Sequence, residues 1–187
     1  MIILLGFPKA GTSSFQKLFL DLSYNSYHWK KDGAYIGMLI KRNKYKDKPL
    51  LSDFNKSDCI TQMDVCVDKI SNYWPQIIDY ERIYYENSDS IFILNKRNPL
   101  KIFSSLKKWK NSDKRIFTYN PHMLKNASEE AFCELINKHY SNIESFFSLH
   151  PESKFITYDI DNDNIEKLKK YIDIKGINIF PKINVSL

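Results

Sequence analysis

The chain has 187 residues, 43% of them hydrophobic and 27% charged, with only 5 glycines and 7 prolines. This composition excludes disordered, collagen-like and low-complexity chains, and a length within the roughly 100–200 residues of an ordinary domain makes residues 1–187 one expected domain. The formal charge of +6 points to an anionic partner without choosing among a nucleotide, an acidic glycan and nucleic acid; a surface of solvated lysines gives the same sum.

In chain order, residues 2–6 (Ile-Ile-Leu-Leu-Gly) read as a short buried strand. A turn over Phe7 to Gly11 follows, and then Phe15, Leu18, Phe19 and Leu22 recur at the spacing of one helix face, with Thr12 or Ser13 as the expected cap. Residues 24–58 carry weaker signals: a helix over Gly33 to Ile40 and a charged surface stretch from Lys41 to Pro49. Residues 59–63 read as a second strand, and 75–86 as a helix opened by Pro75. The run 90–95 is the clearest later strand, and Asn98 and Pro99 supply a cap and a first position for the helix after it. A long helix is expected over 128–149, a strand over 154–158, and a last helix through Ile165, Leu168 and Ile172 that Gly176 ends. Strands this uniformly apolar, alternating with helices, predict an α/β fold of three layers, a central parallel sheet flanked by helices on both faces.

Nothing in the chain reaches the roughly 18–20 apolar residues of a membrane span, and no basic, apolar and small-residue series marks a secretory signal, so no membrane span and a cytoplasmic location are expected. Cys59, Cys66 and Cys133 are odd in number and fit no zinc spacing, which fits reduced thiols; the four histidines form no HxxxH pair, so no metal site is expected.

The sharpest local signal is Gly6-Phe7-Pro8-Lys9-Ala10-Gly11-Thr12-Ser13-Ser14, set between the first strand and the first helix. A helix start presents free N–H groups and the positive end of the helix dipole, and a phosphate sits well there. Gly6 and Gly11 have the spacing of the phosphate loop GxxxxGK[ST], but Thr12 stands where that loop has lysine, and the lysine lies at position 9. Asp64 is the only candidate for an aspartate that would hold magnesium. A nucleotide kinase or NTPase acting on magnesium–triphosphate is therefore the second reading, and a non-catalytic nucleotide-binding relative the third.

The run Phe7 to Ser14 resembles the PKxGTTS loop of sulfotransferases that use 3′-phosphoadenosine-5′-phosphosulfate (PAPS), a family with a P-loop NTPase-like fold. That family's second motif, a strand followed by R[ND]PxxRxxS, is similar to Ile91 to Pro99 with Ser105 eight residues after Arg97. Two further echoes are the strand ending in Tyr158-Asp159 and the stretch Tyr171 to Ser186, with Phe180-Pro181 and Asn184. The resemblance implies that Lys9, Ala10, Gly11, Thr12, Ser13 and Ser14 cradle the 5′-phosphosulfate and that Arg97 and Ser105 hold the 3′-phosphate. The family's second arginine falls at Ile102, with Lys101 beside it as a substitute. PAPS as donor, adenosine 3′,5′-bisphosphate (PAP) as product, a small-molecule or glycan acceptor and no nucleic acid partner follow from it, with no metal required.

Sulfuryl transfer needs charge neutralised on the leaving phosphate, and Lys9 is the candidate. It also needs a base for the acceptor hydroxyl. His28 is the first candidate, against a histidine simply packed beside Trp29; Asp64 is the second, against a helix cap; His122 is the third. Lys107, Lys108, Lys110, Lys114 and Arg115 would either attract an anionic acceptor or form a solvated face. Trp109 would stack on adenine or pack in the core, and Tyr24, Tyr27, Trp29 and Tyr35 would line an acceptor pocket or the core.

Overall fold

The computed structural model describes residues 1–120, 124, 128–174 and 176–183. In chain order the elements are β1 (Ile2–Leu4), α1 (Thr12–Asp21), β2 (Ser26–His28), β3 (Lys30–Lys31), β4 (Ala34–Tyr35) and α2 (Ile36–Tyr45). They continue with β5 (Cys59–Gln62), β6 (Val65–Cys66), β7 (Asn72–Tyr73), α3 (Pro75–Ile78) and α4 (Tyr80–Glu86). The rest are β8 (Ile91–Lys96), α5 (Pro99–Lys107), a π-helical turn at Lys114–Thr118, α6 (Glu129–Ser148), β9 (Lys154–Asp159) and a 3₁₀ segment at Ile165–Lys170.

The main sheet runs β4-β3-β2-β5-β1-β8-β9. Its five strands from β2 to β9 are all parallel, and β3 and β4 add an antiparallel edge. β1 lies at the centre, with Ile3 opposite Ile60 on β5 and Phe92 on β8. Alternate side chains feed two cores, as the two-residue period of a strand requires. Ile3, Leu5, Ile60, Phe92 and Leu94 pack with α2, α5 and α6; Ile2, Leu4, Cys59, Ile93, Ile156 and Tyr158 pack with Phe15, Leu18 and Phe19 of α1 and with Ile165 and Leu168. This is the expected three-layer α/β fold.

Several local expectations need correction. The cap of α1 is Gly11, in the left-handed region at φ 80°, and neither Thr12 nor Ser13 caps the helix. α2 starts at Ile36 rather than Gly33 and runs on to Tyr45, into the charged surface stretch, while residues 30–35 form the β3–β4 hairpin. The helix expected over 75–86 is two pieces broken at Asp79, whose backbone leaves helical geometry and whose carboxylate is held by Tyr73 and Lys44. The last helix is 3₁₀ and ends at Lys170, ahead of Gly176. By contrast, the Asn98 side chain accepts from the N–H groups of Leu100 and Lys101, with Pro99 opening α5, and Ser128 caps α6. All three cysteines are free thiols, Cys59 and Cys66 buried and Cys133 partly so. Among the described residues, no helix is long and apolar enough to cross a membrane.

Candidate functional site

Parallel strands point their carboxyl ends to one side, and in open α/β sheets that is where ligands bind. Each of the five parallel strands here delivers residues to one cavity of about 480 Å³. The loop after β1 brings Lys9 and Gly11; β2 ends in His28 and Trp29; Gln62 and Asp64 close β5; Arg97 follows β8; Ile160 and Asp161 follow β9.

The loop after β1 is held from both ends. Phe7 is fully buried, with Trp74, Phe132 and His139 ring centroids 5.3–6.0 Å away. The chain then turns back, with the Ala10 N–H donating to the Phe7 carbonyl at 3.2 Å. Buried Asn95, at the end of β8, spans the turn: its Oδ1 accepts from Gly6 N–H at 2.9 Å and its Nδ2 donates to the Ala10 carbonyl at 2.8 Å. Gly6 has to be glycine, because a Cβ there would lie 2.1 Å from the Asn95 carbonyl oxygen. Between these anchors Lys9 takes φ 69°, rare for a side-chain-bearing residue. Gly11 crosses at φ 80°, where a Cβ would also meet Ile160 at 2.8 Å. With no side chain capping α1, its first-turn N–H groups remain available to an anion.

Lys9, Gly11, Thr12, Ser13, Ser14, Arg97 and Ser105 all line the cavity. Ala10 does not: it is fully buried and its amide and carbonyl are spent inside the loop, so its part is to shape the turn rather than to touch a ligand. Thr12 Oγ1 donates to Gln62 Oε1 at 3.2 Å, and Ser14 Oγ accepts from Ile183 N–H at 3.1 Å.

The two motifs meet directly. Arg97 Nη1 donates to the Lys9 carbonyl at 3.0 Å. The Arg97 Nε is buried without a hydrogen-bond partner among the described residues, 3.8 Å from Asp161 Oδ2. Lys101 is turned to the same carboxylate at 3.0 Å, and Ile102, at the position of the second arginine in the R[ND]PxxRxxS pattern, is fully buried in the core. Burial lowers the Lys9 pKa, and the neighbouring charges of Arg97 and Lys108 push it the same way. Among the lining residues Lys9, Arg97, Arg115 and Lys182 outnumber Asp64 and Asp161, and an anion would relieve that imbalance.

Two of the three base candidates lie in the same cavity. His28 Nε2 is 3.4 Å from Ser13 Oγ, its Nδ1 is 3.2 Å from Thr61 Oγ1, and burial pushes its pKa down to about 4. Asp64 is buried, accepting from Gln62 Nε2 at 3.1 Å and Gln76 Nε2 at 3.2 Å. Burial raises it to about 6, against the opposing pull of those amides and of Arg115. His122 lies outside the described residues.

Part of the cavity wall is aromatic and basic. Trp109 is half-buried, with Lys9 Nζ 5.8 Å and the Arg115 guanidinium carbon 4.4 Å from its ring centroid. Of the basic run, Arg115 lines the cavity, while Lys107, Lys108, Lys110 and Lys114 are exposed. Trp29 lines the cavity too, whereas Tyr24 packs on Phe19 and Tyr27 on Phe54. The tail also contributes: Phe180 packs 4.8 Å from Phe15 and 5.0 Å from Tyr158, and Phe180 to Ile183 line the cavity. Asn184 and Ser186 lie outside the described residues.

The sequence model of the sulfotransferase domain family matches residues 1–169. The chain belongs to that family. A search of the curated proteins found no match. Membership gives this sulfotransferase domain its general activity, transfer of a sulfuryl group. Sequence reasoning missed three residues that contact the loop and His28: Asn95, Gln62 and Thr61. The signal for Asn95 was there to read, a polar residue ending an otherwise apolar strand, Ile-Phe-Ile-Leu-Asn.

Proposed function

We propose that this sulfotransferase takes its sulfuryl group from PAPS and delivers it to a hydroxyl of a small-molecule or glycan acceptor. The observation that carries the reading is the junction of two cationic elements, the Lys9 loop and Arg97, through one hydrogen bond at the wall of a single cavity. A nucleotide with phosphate at both its 5′ and 3′ ends needs two such elements a ribose apart. The residues fit it: among the described residues the α1 amides have no side-chain cap and Arg97 Nε no hydrogen-bond partner, and burial together with the charges of Arg97 and Lys108 disfavours the Lys9 ammonium in the absence of an anion. The cavity volume is in the range of small-molecule sites, roughly 300–1,000 Å³.

When bound, the donor supplies a sulfuryl group activated by its anhydride bond to phosphate. The protein's own work is positioning and electrostatics. The first-turn amides of α1, with Ser13, hold the 5′ end against the helix dipole. Arg97 and Ser105 hold the 3′-phosphate, the guanidinium offering a charged fork. The Lys9 ammonium neutralises charge that develops on the leaving oxygen. His28 Nε2 receives the acceptor's proton. Although burial lowers its basicity, a polyanion in the cavity raises it again. Trp29, Trp109 and Arg115 face the acceptor, favouring one that stacks on aromatic rings and carries negative charge.

A thermal-shift panel tests the donor, because a ligand that binds only the folded state raises the melting temperature by mass action. PAP without magnesium raises it; ATP with magnesium does not. A larger shift from ATP with magnesium transfers the site to the kinase reading.

A further inference from the structure

We infer that Thr61, supported by Gln16, is a positioning residue that fixes His28 in the tautomer protonated on Nδ1, leaving the Nε2 lone pair on the cavity side. The inference rests on the proposed role of His28 as the base.

The parallel register between β2 and β5 pairs Tyr27 with Ile60 and His28 with Gln62, so Thr61 is passed over. Such irregularities re-aim the side chains next to them. Here the result is that Thr61 Oγ1 has three neighbours: Gln16 Oε1 at 3.0 Å, the Tyr27 carbonyl at 3.1 Å and His28 Nδ1 at 3.2 Å. A hydroxyl has one hydrogen to give. The Tyr27 carbonyl can only accept. The orientation of the Gln16 amide is set independently, because its Nε2 donates to the Ser26 carbonyl at 2.8 Å and its Oε1 accepts from Ser26 Oγ at 2.7 Å. Two of the three neighbours are therefore acceptors competing for the single Thr61 hydrogen. The third neighbour, His28 Nδ1, must be the donor.

The consequence lies across the ring. Burial holds His28 neutral at pH 7, with its pKa near 4, so the imidazole carries one proton and the nitrogen that bears it decides the chemistry. With the proton on Nδ1, Nε2 faces Ser13 and the cavity as an acceptor, the state a base needs before it can take a hydroxyl proton. In water the neutral ring prefers the opposite arrangement, so the protein must impose this one. Thr61 is fully buried, which keeps water from substituting for its oxygen.

The test is read on the ligand-free protein by long-range proton–nitrogen correlation with ¹⁵N-labelled histidine, His28 being assigned by its loss in His28→Asn. The expected wild-type spectrum has a deshielded, unprotonated Nε2 and a protonated Nδ1. Thr61→Ser keeps that pattern, and Thr61→Val moves the proton toward Nε2. A wild-type His28 protonated on Nε2, or a Thr61→Val spectrum identical to wild type, overturns the inference. Should Thr61→Val not fold, the wild-type spectrum alone still decides the tautomer. The role of His28 fails on a different result, undiminished sulfuryl transfer by His28→Asn, which would leave the tautomer without catalytic purpose.

Discussion

Arg97 donates a hydrogen bond from Nη1 to the carbonyl of Lys9, at 3.0 Å, across 88 residues of sequence. The bond ties the residue that follows β8 in one motif to the left-handed residue at the centre of the other. Removing a hydrogen bond to a charged group costs about 1.5–3 kcal/mol, roughly 10- to 100-fold in affinity. Arg97→Ala is expected to weaken PAP binding by that order in calorimetry. Lys9→Ala should retain most of the binding and lose transfer by roughly 10²–10³-fold, as expected for a group that acts on developing charge. Equal and complete loss of binding in both variants would contradict this division.

Asn95 satisfies two backbone groups of the loop, the Gly6 N–H and the Ala10 carbonyl, and no other partner for either lies among the described residues. Asn95→Ala leaves the Gly6 N–H and the Ala10 carbonyl unpaired, at roughly 1–3 kcal/mol each. Chemical unfolding should register a loss of about 2–6 kcal/mol, with weaker nucleotide binding in whatever fraction stays folded. A variant as stable as the parent would show that the loop holds its shape by packing on Phe7 alone.

Asp161 faces both Arg97 and Lys101 and competes with any phosphate for them. Asp161→Asn is expected to tighten PAP binding by roughly two- to five-fold at low salt, the modest scale of partly exposed ion pairs. Binding of adenosine 5′-monophosphate, which lacks the second phosphate, should stay unchanged. A drop in PAP affinity would mean that the carboxylate contacts the nucleotide directly.

Asp64 gives a pH signature of known sign. Its folded pKa is raised by burial to about 6 from the ordinary 3.8. The native state therefore binds the proton more tightly than the unfolded chain. The associated stabilisation is full below the unfolded value and is lost as pH rises through about 6. Two units correspond to roughly 3 kcal/mol. His28, whose pKa is lowered to about 4, contributes the opposite slope, present above 6.5 and lost as pH falls through 4. Comparing wild type with Asp64→Asn cancels the histidine, because both proteins carry it. Gln76 Oε1, which has no hydrogen-bond partner among the described residues, can accept from the new amide after a flip, so the variant should fold. Between pH 4 and 7 the wild type should lose stability relative to Asp64→Asn by up to that amount in urea unfolding. Parallel curves would place the Asp64 pKa near its ordinary value.

How much of this was legible beforehand follows from how far apart the interacting residues lie. The run Ile2 to Leu5, the strand ending in Asn95, and the cap Asn98 with Pro99 are contiguous, so period and capping chemistry expose them directly. The cap of α1 was misread because a threonine and a serine at a helix start normally take that role; here the left-handed Gly11 leaves the N–H groups open. The break at Asp79 was invisible because it depends on Tyr73 and Lys44 closing on one carboxylate from other elements.

The sequence by itself determined the α/β class, the glycine-bounded turn after the first strand and the cationic residue after the strand ending in Asn95, since each is written in a few neighbouring residues. Only the tertiary structure decided that Asn95 staples the loop, that Thr61 meets His28, and that Asp161 opposes Arg97. Those contacts depend on strand order and on a register that skips one residue between β2 and β5. Which distant polar groups face each other is a property of the assembled sheet, and no local pattern carries it.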